Sequence, residues 1–212
     1  MHERIFYRER VNDSVKPLIL HFTVYTVAIF IFTSSLPFLL QDGEIAYFKE
    51  NGLIEWMQLS CLLTACTIFL IGCMFISQFR EIFILLASVC AFAAVRELDS
   101  FLDNLIPVIG WKIATVIIVF AAWMAYIHKE KLAKQVPRFL SSPAFVVLWA
   151  GFIMAVPVAQ LLGHGEFLET LMGDDYNHAY KRVIEESGEV VGYLLIVAGS
   201  VESYLKLKKA GN

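Results

Sequence analysis

Charged residues are scarce in this sequence. They make up 17% of the 212 residues, while hydrophobic residues reach 58% and the mean hydropathy is +0.65. An ordinary soluble domain carries roughly a quarter of its residues as charges, so water cannot be the solvent for most of this surface. The four cysteines (Cys61, Cys66, Cys73 and Cys90) include no CxxC pair and have no histidine close by in sequence. That excludes the common local zinc and redox motifs and leaves them as small apolar packing residues. Also missing are HExxH, a Glu-x-x-His pair, a glycine-rich phosphate loop and a GxSxG elbow, so no standard catalytic signature is present. There is no fixed-period repeat and no low-complexity tract. A net charge of -3 removes the basic character that a nucleic-acid partner would require.

What remains is a succession of long apolar runs. They predict an all-α integral membrane bundle of six transmembrane helices, over residues 17–40, 53–77, 82–100, 110–127, 143–163 and 184–205, within a transmembrane domain of 17–205. Residues 1–16 form an N-terminal segment and 206–212 a tail. The opening MHERIFYRERVNDSVK is too long and too mixed in charge for a signal peptide, and no A-x-A-like site follows, so the first run reads as an uncleaved span. Continuous apolar runs require helices, because barrel strands alternate apolar and polar residues. Pro143 suits the first turn of the fifth span, and Pro157 is expected to kink it. QFRE (78–81) reads as a tight turn, HKEKLAKQVPR (128–138) as the most basic loop and 164–182 as the longest polar connection.

Counting Lys and Arg by side gives an orientation. Twelve of the seventeen (Arg4, Arg8, Arg10, Lys16, Arg80, Lys129, Lys131, Lys134, Arg138, Lys206, Lys208 and Lys209) lie on the side holding the N-terminus. The positive-inside rule therefore places both termini in the cytoplasm, with the chain in the inner membrane. Acidic residues are biased the opposite way: fourteen of the twenty fall at or near the outer face.

Three polar clusters mark outer helix ends. Glu55 and Gln58 open the second span, three residues apart and just after Glu50. Arg96, Asp99 and Asp103 form a stripe closing the third, with Glu97 beside it, and His178, Arg182, Glu185 and Glu189 form another opening the last, flanked by Glu186. Asp174 or Asp175 is the expected cap of that helix, and Gly192 continues its stripe as a point of close helix approach. Ionisable residues within a span are costly and normally face the bundle interior or a water-filled cavity. A solvated helix-end reading stays open for Glu50, Glu97, Glu166, Glu169, Asp174 and Asp175. Gln160 is a further candidate for the cavity, whereas His21 and Glu202, with Lys206 four residues on, read as ordinary interfacial or helix-surface residues.

Several chemistries fit such a cavity. Glu185, Glu189, Glu55 and Asp99 are candidate catalytic carboxylates, and Arg96, Arg182 and Gln58 candidate substrate-binding groups. His178 with Glu185, Glu189 and Asp99 is a candidate set for a divalent metal ion, which would activate water toward an ester or phosphoryl group. The first expectation is thus a metal-dependent membrane enzyme acting on a lipid or small anionic substrate. Two others stand beside it: a small proton- or cation-coupled transporter, and a non-catalytic subunit whose outer carboxylates meet another membrane protein or a second copy of this chain.

The segments NGLIEWMQ, VRELDSFLD and VIEESGEVVGYLL together resemble small bacterial inner-membrane proteins. In these, an acidic residue and Gln open one helix, Arg-Glu-x-Asp closes another and Glu-Glu-x-x-Glu opens the last. The resemblance implies a multi-pass inner-membrane fold and no particular activity. The seven-helix ceramidase-like hydrolases hold zinc with three His and an Asp, and this chain lacks the paired His of their last helix.

Overall fold

Backbone groups in a bilayer must be satisfied within their own segment, and every regular element among the described residues is helical. The computed structural model describes residues 19–36, 38, 45–48, 52–99, 101–102 and 110–211. Pro37, Glu50, Asp103 and the segments 1–16 and 103–109, which carry parts of the reading above, lie outside the described residues.

The chain divides into two compact units, Met1–Asp42 and Gly43–Asn212. Helix α1 (Ile19–Leu36) belongs to the first, and its apolar side chains, such as Phe30 and Ile31, are largely exposed. The second unit holds α2 (Leu53–Phe75), α3 (Arg80–Glu97), α4 (Gly110–Ile127), α5 (Lys129–Leu140), α6 (Pro143–Ile153), α7 (Ala159–Leu162), α8 (Gly165–Met172) and α9 (His178–Gly211). Among the described residues, five helices are long and apolar enough to cross a bilayer: Ile19–Leu36, Leu53–Phe75, Ser77–Glu97, Pro143–Leu162 and His178–Lys209. A sixth is reached when Lys112–Ile127 and Lys129–Leu140, which meet at 98°, are taken as one bent span. By length and hydropathy the chain is a multi-pass membrane protein in contact with lipid.

Local chemistry sets the boundaries. Ser142 caps α6, its hydroxyl accepting from the Phe145 N–H at 3.3 Å, and Pro143 occupies the first turn as expected. Pro157 sits in a five-residue π-helical segment, Met154–Val158, joining α6 to α7. A wider turn of this kind accommodates the missing N–H without ending the span. Asn177, rather than Asp174 or Asp175, caps α9: its Oδ1 accepts from the Ala179 N–H at 2.9 Å. That helix starts six residues before the expected position, and the connection ahead of it is mostly helical, through α8 and a short turn at Gly173–Asp175.

The expected basic loop at 128–138 is instead the helix α5. Leu132, Gln135 and Phe139 are buried along one face while Lys129, Lys131, Lys134 and Arg138 are exposed, so an apolar stripe at helical spacing outweighs the density of charge.

The second unit packs as a row: α4 on α3, α3 on α2, α2 on α9, and α9 on α6, the π segment and α7. α5 touches α3, α4 and α6 at one end. There Leu132 and Phe139 join Phe69, Phe83, Cys90, Leu148 and Leu207 in the larger apolar core. Leu59, Leu62, Ala94, Ala155 and Tyr193 form a second core nearer the other end. All four cysteines are free, and Cys66 Sγ rests 3.5 Å from the Ala87 carbonyl, a packing role. The contact between α9 and the α6–α7 span is close because small residues line it. A methyl added at Gly192 would lie 2.5 Å from Ala155, and one at Gly151 2.8 Å from the Gly192 carbonyl oxygen. Gly192 is therefore a point of helix approach, as its place in the stripe suggested.

Candidate functional site

At the end of the unit opposite α5, α3 and α9 frame a cavity of about 560 Å³. Arg96 and Glu97 from the last turn of α3, and His178, Lys181, Arg182, Glu185, Glu186 and Glu189 from the first turns of α9, line it. The α9 residues reach the same space because spacings of three and four place them on one face. All four members of the expected α9 stripe therefore meet in one cavity, together with Arg96. Four carboxylates stand there beside three permanent cations and an imidazole.

A hydrogen-bond network ties the cavity wall to a third helix. Gln58 on α2 is wholly buried, and its Nε2 donates to Glu186 Oε2 at 2.8 Å, Glu189 Oε2 at 3.1 Å and the Glu186 carbonyl at 3.3 Å. An amide nitrogen carries only two protons, so these three acceptors compete for them. The Gln58 Oε1 is buried and accepts no hydrogen bond among the described residues. Across the cluster, the hydroxyl of Tyr193, a buried α9 residue, donates to Glu97 Oε1 at 2.7 Å. Arg96 is close enough for its charge to act on Glu97 and Glu189, and Arg182 is similarly placed toward Glu186.

The remaining candidates divide. Glu55 is half-buried and its charge reaches Glu97 and Glu186, but it does not line the cavity. Asp99 is exposed and outside it, since α3 ends at Glu97 and the chain turns there. Gln160 is also exposed and outside. His178 sits at the exposed rim, its Nδ1 3.3 Å from the Tyr176 hydroxyl and the two rings edge to face at 5.3 Å. Glu185 is backed by Gly163 at the end of α7, where a methyl would lie 2.6 Å from Glu185 Cβ. Among the described residues no three His, Cys, Asp or Glu side chains stand together so as to hold a metal ion. The expected metal set of His178, Asp99, Glu185 and Glu189 does not gather into such a group among the described residues: Asp99 is exposed and outside the cavity, and His178 is at its exposed rim beside Tyr176.

Three members are only weakly marked in the sequence. Glu97 reads equally well as a solvated helix end, Glu186 only flanks the stripe, and Tyr193 carries no local signal. Comparison with protein-family models, with curated proteins and with solved structures gives no match for this chain.

Proposed function

We propose that this chain is a small proton-coupled membrane carrier, with the carboxylates of Glu97, Glu186 and Glu189 taking up and releasing the proton and Arg96, Lys181 and Arg182 holding a small anionic solute in the same cavity. The observation that carries this reading is Gln58. A buried amide placed against two glutamates can serve both of their protonation states, donating from nitrogen to a carboxylate and accepting at oxygen from a carboxylic acid. Among the described residues its oxygen has no donor while its nitrogen is over-subscribed, as expected for one half of such a cycle. Intramembrane carboxylates joined to polar partners across helices are the usual components of proton relays. The π segment beside α9 adds the interrupted helix that carriers use next to their sites.

The proposed orientation puts the α5 end in the cytoplasm, where Lys129, Lys131, Lys134, Arg138 and the terminal lysines of α9 gather. The cavity then opens outward, and the proposed location is the inner membrane. Infrared difference spectroscopy of the reconstituted protein tests the proton step. A carboxyl C=O band should appear on acidification and shrink in Glu186→Gln and Glu189→Gln. If neither substitution changes that band, these groups do not carry the proton. Uptake of small organic anions into proteoliposomes should follow an imposed proton gradient and be lost in the double variant.

A second reading, a membrane enzyme acting on an anionic substrate, draws support from cations standing beside carboxylates able to act as general acid and base. It predicts turnover in detergent with no gradient.

A further inference from the structure

A second cavity, of about 320 Å³, lies at the other end of the unit, between α5 and the short turn Ser77–Phe79 that joins α2 to α3. Its volume is at the small end of the range of about 300–1,000 Å³ for small-molecule sites. Lys131, Lys134 and Arg138 enter it from one face of α5, and Ser77 and Gln78 add a hydroxyl and an amide from the turn. Glu81 also lines it, but that carboxylate is already held by Lys131 at 2.9 Å and by Gln135 Nε2 at 2.7 Å. The charge left over is positive: Lys134 and Arg138 are exposed and have no acidic partner among the described residues.

The surroundings say what kind of anion reaches this place. Met74 and Phe75, at the end of α2 just before Ser77, are 71% and 73% exposed, so the outer surface is apolar up to the cavity and cationic beyond it. That transition marks the headgroup level of a bilayer. α5 meets α4 at 98°, and with α4 along the membrane normal it lies in the interface, the posture of an amphipathic surface helix. Basic pockets at helix ends on one side of a membrane protein are a recurrent form of anionic-lipid site.

We infer that the cavity between α5 and the Ser77–Phe79 turn binds the phosphate of an anionic phospholipid headgroup, with Lys134 and Arg138 supplying the charge, Ser77 and Gln78 neutral donors, and Met74 and Phe75 a surface for the acyl chains. The site is separate from the proposed proton-carrying cavity and does not depend on it. Glu81 then has a definite part: by holding Lys131 it limits the site's net charge and leaves the two exposed cations to the lipid.

The test is lipid binding by the full chain in detergent, read by native mass spectrometry with phosphatidylglycerol, phosphatidylcholine and inorganic phosphate as probes. Phosphatidylglycerol should bind in preference to phosphatidylcholine, and Lys134→Gln with Arg138→Gln should weaken it roughly 25-fold, about fivefold for each cation removed. Both side chains are exposed, so the fold should persist, which circular dichroism of the variant checks. Lys112→Gln with Lys129→Gln removes the same charge outside the cavity and should change binding much less. An equal loss in both double variants, or equal affinity for the two lipids, would overturn the site. Displacement of phosphatidylglycerol by inorganic phosphate at similar concentration would overturn its assignment to lipid.

Discussion

Replacing Gly192 with alanine tests the packing that holds the candidate site together. The new methyl would lie 2.5 Å from both Cβ and N of Ala155 and 2.7 Å from its Cα. Carbon atoms rest at about 3.5–4.0 Å, so α9 and the π segment would have to separate by roughly 1 Å. Two of the three obstructing atoms are backbone, and no rotamer change removes them. Overpacking of this kind costs about 1–3 kcal/mol, which is about 5- to 160-fold in the folded-to-unfolded ratio. Gly188, one turn earlier on the same face, provides the control: a methyl there meets Ala159 Cβ at 3.2 Å and Cα at 3.4 Å, a conflict relieved by a few tenths of an ångström. Reversible unfolding in mixed micelles should therefore rank Gly192→Ala well below Gly188→Ala in stability. Adding Ala155→Gly should restore only part of the loss, because the backbone atoms stay. Equal stability of the two single variants, or full rescue by Ala155→Gly, would mean that the Ala155 backbone does not limit how closely α9 packs.

Tyr193→Phe removes the hydrogen bond that holds Glu97 Oε1 and should lower stability by about 1–3 kcal/mol, read by the same unfolding assay. Gln58→Leu leaves the Glu186 and Glu189 oxygens without their shared donor; the expected loss is also about 1–3 kcal/mol per unsatisfied group, and the infrared carboxyl band should shift. At the other end, Gln135→Leu strips a donor from Glu81 and an acceptor from the Ile82 N–H, so it should destabilise more than Lys131→Gln, whose side chain is 65% exposed. Gly173→Ala isolates backbone strain: φ is +56° and nothing lies within 4 Å of the added methyl. Any loss, about 1–3 kcal/mol, then comes from conformation alone.

The spans were legible in the sequence because hydropathy and length are properties of single segments. The second, third and fifth begin within two residues of expectation. α5 was not legible from its charges, although Leu132, Val136 and Phe139 recur at helical spacing between the lysines. Membership of the site was legible only where one helix sufficed, as in the stripe from His178 to Glu189. Gln58 and Glu186 are 128 residues apart, and their meeting depends on how α2 and α9 are rotated against each other. Glu185 and Glu186 are neighbours, about 100° apart around the helix, so the sequence cannot say which of them faces α2.

The π segment at Met154–Val158 makes the site sensitive to chain length as well as to side chains. Gly151 and Ala155 meet α9 at Gly192, whereas Ala159 meets it at Gly188 and Gly163 lies against Glu185. A π turn amounts to one extra residue threaded into an α-helix. Deleting a single residue there would let regular α-helix run through, and because the wide turn takes up the extra residue locally, everything beyond would keep roughly its present face toward α9. The same deletion made in the regular turn Ala159–Leu162 has no wide turn to absorb it and would swing Gly163 by about 100° around the helix axis, away from Glu185. The π segment thus works as slack that holds the cavity wall in phase, and an indel outside it is the sequence change to which this wall is least tolerant.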